Sequence, residues 1–259
     1  MRFLARAVGI GLTLCSPMLF GASITGQFTF TGQNVEVSAT SITWLPTNPG
    51  NPGTGIIVAS NPPGVTGDFA AILCGPSAGN PGCANVSGTQ GSQINLSSPV
   101  NPVGIPINLP DFIQFPPSPA AAALGIDLTT AEVAQPNTTA CTTTQTSGNC
   151  AVYLPNAGGT PGPFELTQVS PNSVTVSLVL DGIAHAAGYS NTAVTITYTD
   201  QYTGTIGSIT SAIYAGQTLQ ANAYSATVTA AAVPEPATAF LGLSGLLIGA
   251  GVYRRRRRS

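Results

Sequence analysis

Lysine is absent from this chain of 259 residues, and its seven positive side chains are arginines confined to the two ends. They are Arg2 and Arg6, then the run Arg254, Arg255, Arg256, Arg257 and Arg258. From Ala7 to Tyr253 there is no positive side chain. Phosphate needs cations to neutralise it, so this span is excluded as a nucleic-acid partner and as a phosphate-handling enzyme. Charge of either sign is scarce, at 6% of residues against about a quarter in an ordinary domain. With 43% of residues hydrophobic, disorder driven by charge is excluded as well. Histidine is reduced to His185 alone.

What charge there is is segregated. Glu36, Asp68, Asp111, Asp127, Glu132, Glu165, Asp181 and Asp200 give the middle of the chain negatives only, while the positives sit where membrane topology is decided. Arg2 and Arg6 precede an apolar stretch, Ala7 to Phe20, too short to span a bilayer, and the small residues Gly21, Ala22 and Ser23 follow. This order predicts a signal peptide over residues 1–23, removed by signal peptidase to leave Ile24 first. Acylation at Cys15 is the rival, but Leu14 stands where a small residue is wanted. Near the other end, Ala237 to Tyr253 is uncharged and rich in Leu, Gly and Ala. As a helix it covers roughly 25 Å, enough for a thin bilayer. Arg254 to Arg258 then act as a stop-transfer signal that keeps the tail cytoplasmic.

Immediately before that helix stands Val233-Pro234-Glu235-Pro236-Ala237-Thr238. Two prolines around an acid forbid helix and hold the segment extended, the form a protease or transpeptidase reads. Val233, Pro234, Glu235 and Pro236, an apolar helix and an arginine cluster, in that order, resemble the PEP-CTERM sorting signal of Gram-negative bacteria. The resemblance covers residues 233–259. It implies recognition of Pro234-Glu235-Pro236 by an exosortase, a membrane-embedded cysteine transpeptidase, after transient anchoring in the membrane by the C-terminal helix. It further implies a final place at the cell surface or in the extracellular matrix, in association with exopolysaccharide and biofilm.

The exported region, residues 24–232, reads as one all-β domain, an antiparallel β-sandwich with long loops rich in Pro, Asn and Gly. Val174, Val176, Leu178 and Leu180 alternate with Thr175, Ser177 and Val179, and Val194, Ile196 and Tyr198, like Ala226, Val228 and Ala230, alternate with threonines. Period-2 runs of this composition predict antiparallel strands with one solvated face, and Asp181-Gly182 is expected to turn the chain. The first half holds fourteen of the 22 prolines, between Pro46 and Pro119. Short strands are expected among these turn formers at Gly26 to Thr31, Val35 to Trp44, Ile56 to Ala59, Phe69 to Leu73 and Phe112 to Phe115. No capped helical pattern of useful length is expected between the termini; Ala120 to Leu124 comes nearest.

Four cysteines remain after the leader, consistent with an oxidising destination. Cys74 and Cys83 are separated by eight residues, and so are Cys141 and Cys150. Three pairings are open to four cysteines. The repeated spacing around turn-rich segments favours local closure of each loop, at a gain of ~2–3 kcal/mol. Metal binding is not expected, since neither pair has a C-x-x-C spacing and only one histidine exists.

No catalytic residue or cofactor is assigned. His185 could serve a Ser-His-Asp triad with Asp181 or Asp200, but no Gly-x-Ser-x-Gly context exists, and it reads as a surface or turn residue. Asp127 with Glu132, or Asp181 with Asp200, could form a glycosidase pair only if the fold joins them. Trp44, Tyr153, Tyr189, Tyr198, Tyr202, Tyr214 and Tyr224 could offer sugar-stacking faces or fill a core. The primary expectation is a non-catalytic surface or matrix protein. A carbohydrate-binding adhesin and a secreted hydrolase are the alternatives, to be distinguished by exposed aromatics or by paired carboxylates in a cleft.

Overall fold

The computed structural model describes residues 21–38, 41–47, 49, 53–59, 64–74, 90–96, 106–116, 123–131, 139–153, 161–221 and 223–230. The strands are β1 (Ala22–Ser23), β2 (Gly26–Gly32), β3 (Asn34–Val37), β4 (Ile42–Leu45), β5 (Thr54–Ala59), β6 (Gln90–Ile94), β7 (Pro106–Phe115) and β8 (Leu124–Ala131). They continue as β9 (Asn149–Tyr153), β10 (Pro161–Ser170), β11 (Ser173–Ala186), β12 (Tyr189–Ser190), β13 (Thr192–Thr203), β14 (Leu219–Ala221) and β15 (Tyr224–Ala230). Among the described residues there are two short helices, α1 (Asp68–Cys74) and α2 (Ile206–Tyr214). Among the described residues no helix is long and apolar enough to cross a membrane. The predicted span over 237–253 lies outside the described residues, as do most of the leader and the arginine run.

The fold is all-β, and apart from the short parallel pair β1–β12 its strands pair antiparallel, as the alternation predicts. Ten strands pair in the order β13-β15-β2-β5-β6-β7-β8-β11-β10-β9, and β13 also pairs with β11. That last pairing closes eight of them into a barrel-like ring. The length of β11 makes closure possible. One edge runs along β13 from Ser173 to Ala184, while the other takes β10 as far as Leu178 and β8 from Leu180 onward. Closure satisfies backbone groups that an open edge would expose.

The period-2 pattern sorts side chains by face. Val174, Val176, Leu178, Leu180 and Ala184 of β11 point inward with Val194, Ile196 and Tyr198 of β13 and Ala226 and Val228 of β15. Towards one end Phe28 packs on Phe69 of α1 and Phe115, with ring centroids 4.9 and 5.7 Å apart. Elsewhere in the core Trp44 lies 4.9 Å from Tyr198 and 4.8 Å from Tyr224. A separate sheet in the order β14-β3-β4 carries Val35, Val37, Ile42 and Trp44 into this cluster. Each large side chain buried in this way contributes about 1.5–3 kcal/mol.

Several expectations are corrected. Phe69 to Leu73 is helix, not strand, because Phe69, Ile72 and Leu73 fall on one helical face and all are buried. The entry to that helix is tied down where the Asp68 carboxylate accepts the Thr25 backbone N–H (2.8 Å) and hydroxyl (2.6 Å). A second unexpected helix, α2, starts from a capping box between Thr205 and Ser208 and buries Ile206, Ile209 and Ile213. Val35 to Trp44 divides into β3 and β4, which pair with each other. Asp181-Gly182 does not turn the chain; β11 runs through it to Ala186. Gly182 instead permits close approach of β8, since a Cβ there would stand 2.5 Å from the Asp127 carbonyl oxygen.

Cys141 and Cys150 form a disulfide, with Cα atoms 5.0 Å apart. The loop they clip docks on α2, whose Gly207 N–H donates to the Gln145 carbonyl at 2.7 Å. Cys74 ends α1, and Cys83 lies outside the described residues.

Candidate functional site

On the outer wall of the barrel one row crosses five strands: Ile56, Ser92, Gln114, Gly125 and His185 are successive cross-strand partners on β5, β6, β7, β8 and β11. This row floors an open groove of about 840 Å³ whose lining includes Gln90, Asp111 and Phe115. Gly125 shapes it. A Cβ at that position would stand 2.1 Å from His185 Cε1, so the imidazole occupies the gap left by the missing side chain.

Two carboxylates meet that imidazole. His185 Nε2 lies 3.3 Å from Asp127 Oδ1 and 3.5 Å from Asp111 Oδ1, and the three side chains are 36–48% exposed. Asp127 shares the outer face of β8 with Gly125 by simple alternation. Asp111 arrives differently. Leu109 pairs with Leu128 and Ile113 with Ile126, so β7 spends two more residues than β8 between these points. Asp111 sits in that bulge with φ 51°, a left-handed conformation that Asp tolerates better than most residues. The Asp111 N–H donates to Asp127 Oδ1 at 2.8 Å, so the second acid also holds the bulge that delivers the first.

His185 is therefore a strand residue on the barrel wall, not a turn residue. Sequence reasoning considered Asp127 with Glu132, which lies outside the described residues, and did not connect Asp127 with Asp111 or His185. Spacing of Gly125, Asp127 and His185 along two alternating strands was the available signal. The bulge that brings in Asp111 has no local signature. Asp181 and Asp200 are not brought together: Asp181 faces outward and accepts the Thr195 hydroxyl at 3.1 Å, whereas Asp200 occupies an inward position of β13. The sorting residues Val233 to Pro236 and the stop-transfer run lie outside the described residues.

Asp200 forms a second unusual environment. Its Oδ1 accepts the Gln201 N–H at 2.6 Å, while the buried Oδ2 has no hydrogen-bond partner among the described residues. The hydroxyls of Tyr202 and Tyr224 are buried and unpartnered in the same way. All three residues line a small cleft of about 30 Å³ beside Trp44 and Tyr198. Burial lifts the Asp200 carboxyl from 3.8 to about 7, and the Gln201 amide offsets only part of that. Burial, with the Asp200 charge adding to it, pushes both tyrosine hydroxyls upward. Trp44, Tyr198, Tyr202 and Tyr224 are thus core residues, between 2 and 6% exposed.

A comparison with protein families matches residues 232–258 to the PEP-CTERM protein-sorting motif. No curated protein and no solved structure matches the chain.

Proposed function

From the premise that this chain is a PEP-CTERM protein, exported and sorted by an exosortase, we propose that its β domain is a non-catalytic component of the cell surface or extracellular matrix, held among exopolysaccharide. One observation carries the finer reading. Thr31, Ser225, Thr199 and Ser177 are successive cross-strand partners on β2, β15, β13 and β11, and Gln27, Thr229 and Thr195 form a parallel row. This wall presents hydroxyls and amides with no cation, as in the 3.0 Å contact between Thr199 and Ser225. Such a surface exchanges hydrogen bonds with hydrated sugar hydroxyls at little cost and does not attract anionic polymers such as nucleic acid. Trp44, Tyr198, Tyr202 and Tyr224 belong to the core, so contact with glycan rests mainly on hydrogen bonding, with Tyr214, 37% exposed, placed to stack on a sugar ring.

The test is to express the full chain in a host with an exosortase, with Pro234-Glu235-Pro236 intact or replaced by alanines. The intact chain should be processed at its C-terminus and recovered with the polysaccharide fraction, and the alanine variant should stay in the inner membrane. Normal processing of the variant would refute the sorting role of these residues. Recovery of the intact protein free of polysaccharide would refute the matrix role.

A further inference from the structure

We propose that Asp111, Asp127 and His185 bind a divalent transition-metal ion of the zinc class on the barrel wall. Their donor atoms come from three strands and lie within 4.8 Å of one another. Two ligands at about 2.1 Å from one tetrahedral ion stand about 3.4 Å apart. His185 Nε2 already lies 3.3 and 3.5 Å from the two Asp oxygens. Closing the remaining carboxylate separation takes a small side-chain rotation, and both carboxylates are exposed enough to make it.

Three further observations favour an ion over a bare cluster. An imidazole nitrogen with two carboxylates is a donor set for zinc, nickel or iron, whereas calcium and magnesium take oxygens alone. The imidazole has a built seat, the gap at Gly125 that a Cβ would fill. No Lys or Arg exists between Ala7 and Tyr253, so the exported span has only His185 to offset two adjoining carboxylates. Protonated His185 could do so by itself, and that is the competing arrangement. In the metal-bound form Nε2 gives its lone pair to the ion and the imidazole proton resides on Nδ1. Three protein ligands leave a coordination position open towards the groove, where Gln114 and Ser92 line the wall. The site does not depend on the sorting or matrix reading.

His185 is the single histidine, so it supplies one resolved set of imidazole signals by NMR. Full-length protein in detergent, stripped with a chelator, is titrated with zinc while those signals and the heat of binding are followed. One ion per chain should bind with a dissociation constant on the order of micromolar and move the His185 signals. H185Q and D111N should each weaken binding about tenfold or more. D111N changes a half-exposed side chain, so its thermal stability will show whether the fold is kept. Unchanged His185 signals at saturating zinc, full affinity in H185Q, or displacement of zinc by equimolar calcium would each overturn the assignment.

Discussion

The carboxyl of Asp200 makes the stability of this barrel fall as pH rises, and Asp200→Asn should remove that dependence. Its ordinary value of 3.8 is raised to about 7 in the folded chain. Below pH 4 the group is protonated in both folded and unfolded chains and contributes no difference. Between about pH 4 and pH 7 the unfolded chain releases the proton while the folded chain keeps it, so folding becomes progressively less favourable. Above about pH 7 both forms are ionised and the full cost is present. At 1.36 kcal/mol per pH unit, the shift corresponds to ~4 kcal/mol. The carboxyl is only partly buried and borders an open depression of about 610 Å³. Solvent screening through that opening reduces the cost to about 2 kcal/mol. Asparagine keeps an oxygen for the Gln201 N–H and puts an amide donor in place of the unpartnered Oδ2. For a domain of this size the gain is about 4–8 °C in Tm. Thermal unfolding of both proteins from pH 4 to pH 9 should show curves that meet near pH 4 and separate towards pH 8, with the variant higher. Parallel curves, or a wild-type advantage at pH 8, would refute the reasoning.

Opening the Cys141–Cys150 bridge with Cys141→Ser should cost about 2–3 kcal/mol. Amide exchange should locate the loosening at the 141–150 loop and the first turn of α2, which Gln145 anchors. Non-reducing peptide mapping should link Cys74 to Cys83; a bridge from either to Cys141 or Cys150 would disprove local pairing. Gly125→Ala places a methyl group against the His185 ring. It should destabilise the fold by about 1–3 kcal/mol and shift the His185 NMR signals, whereas unchanged signals would mean the ring does not rest there.

Much of the fold was readable from local pattern. The alternation in Val174 to Leu180 and Val194 to Tyr198 predicted both strands and their inward faces, and the same parity places Asp200 inside, two residues beyond Tyr198. The helices were legible in retrospect: Phe69, Ile72 and Leu73, like Ile206, Ile209 and Ile213, have helical spacing. Short apolar runs fit either period, and what decided them was burial of one helical face against the core. Gly182 was misread because a glycine marks a turn or a close approach equally well, and only the neighbouring strand distinguishes them.

The sorting motif over residues 232–258 and the spacing of each cysteine pair reside in contiguous residues, so the amino-acid order alone determined them. The lack of any cation over the whole exported span belongs to the same class, being a property of composition. Closure of β11 on β13, the bulge that carries Asp111 to Asp127 and the meeting of both with His185 depend on strand register between residues as far apart as 111 and 185. Register is set by the packing of the whole barrel, because each pairing is held by its neighbours on both sides and has no determinant within its own few residues.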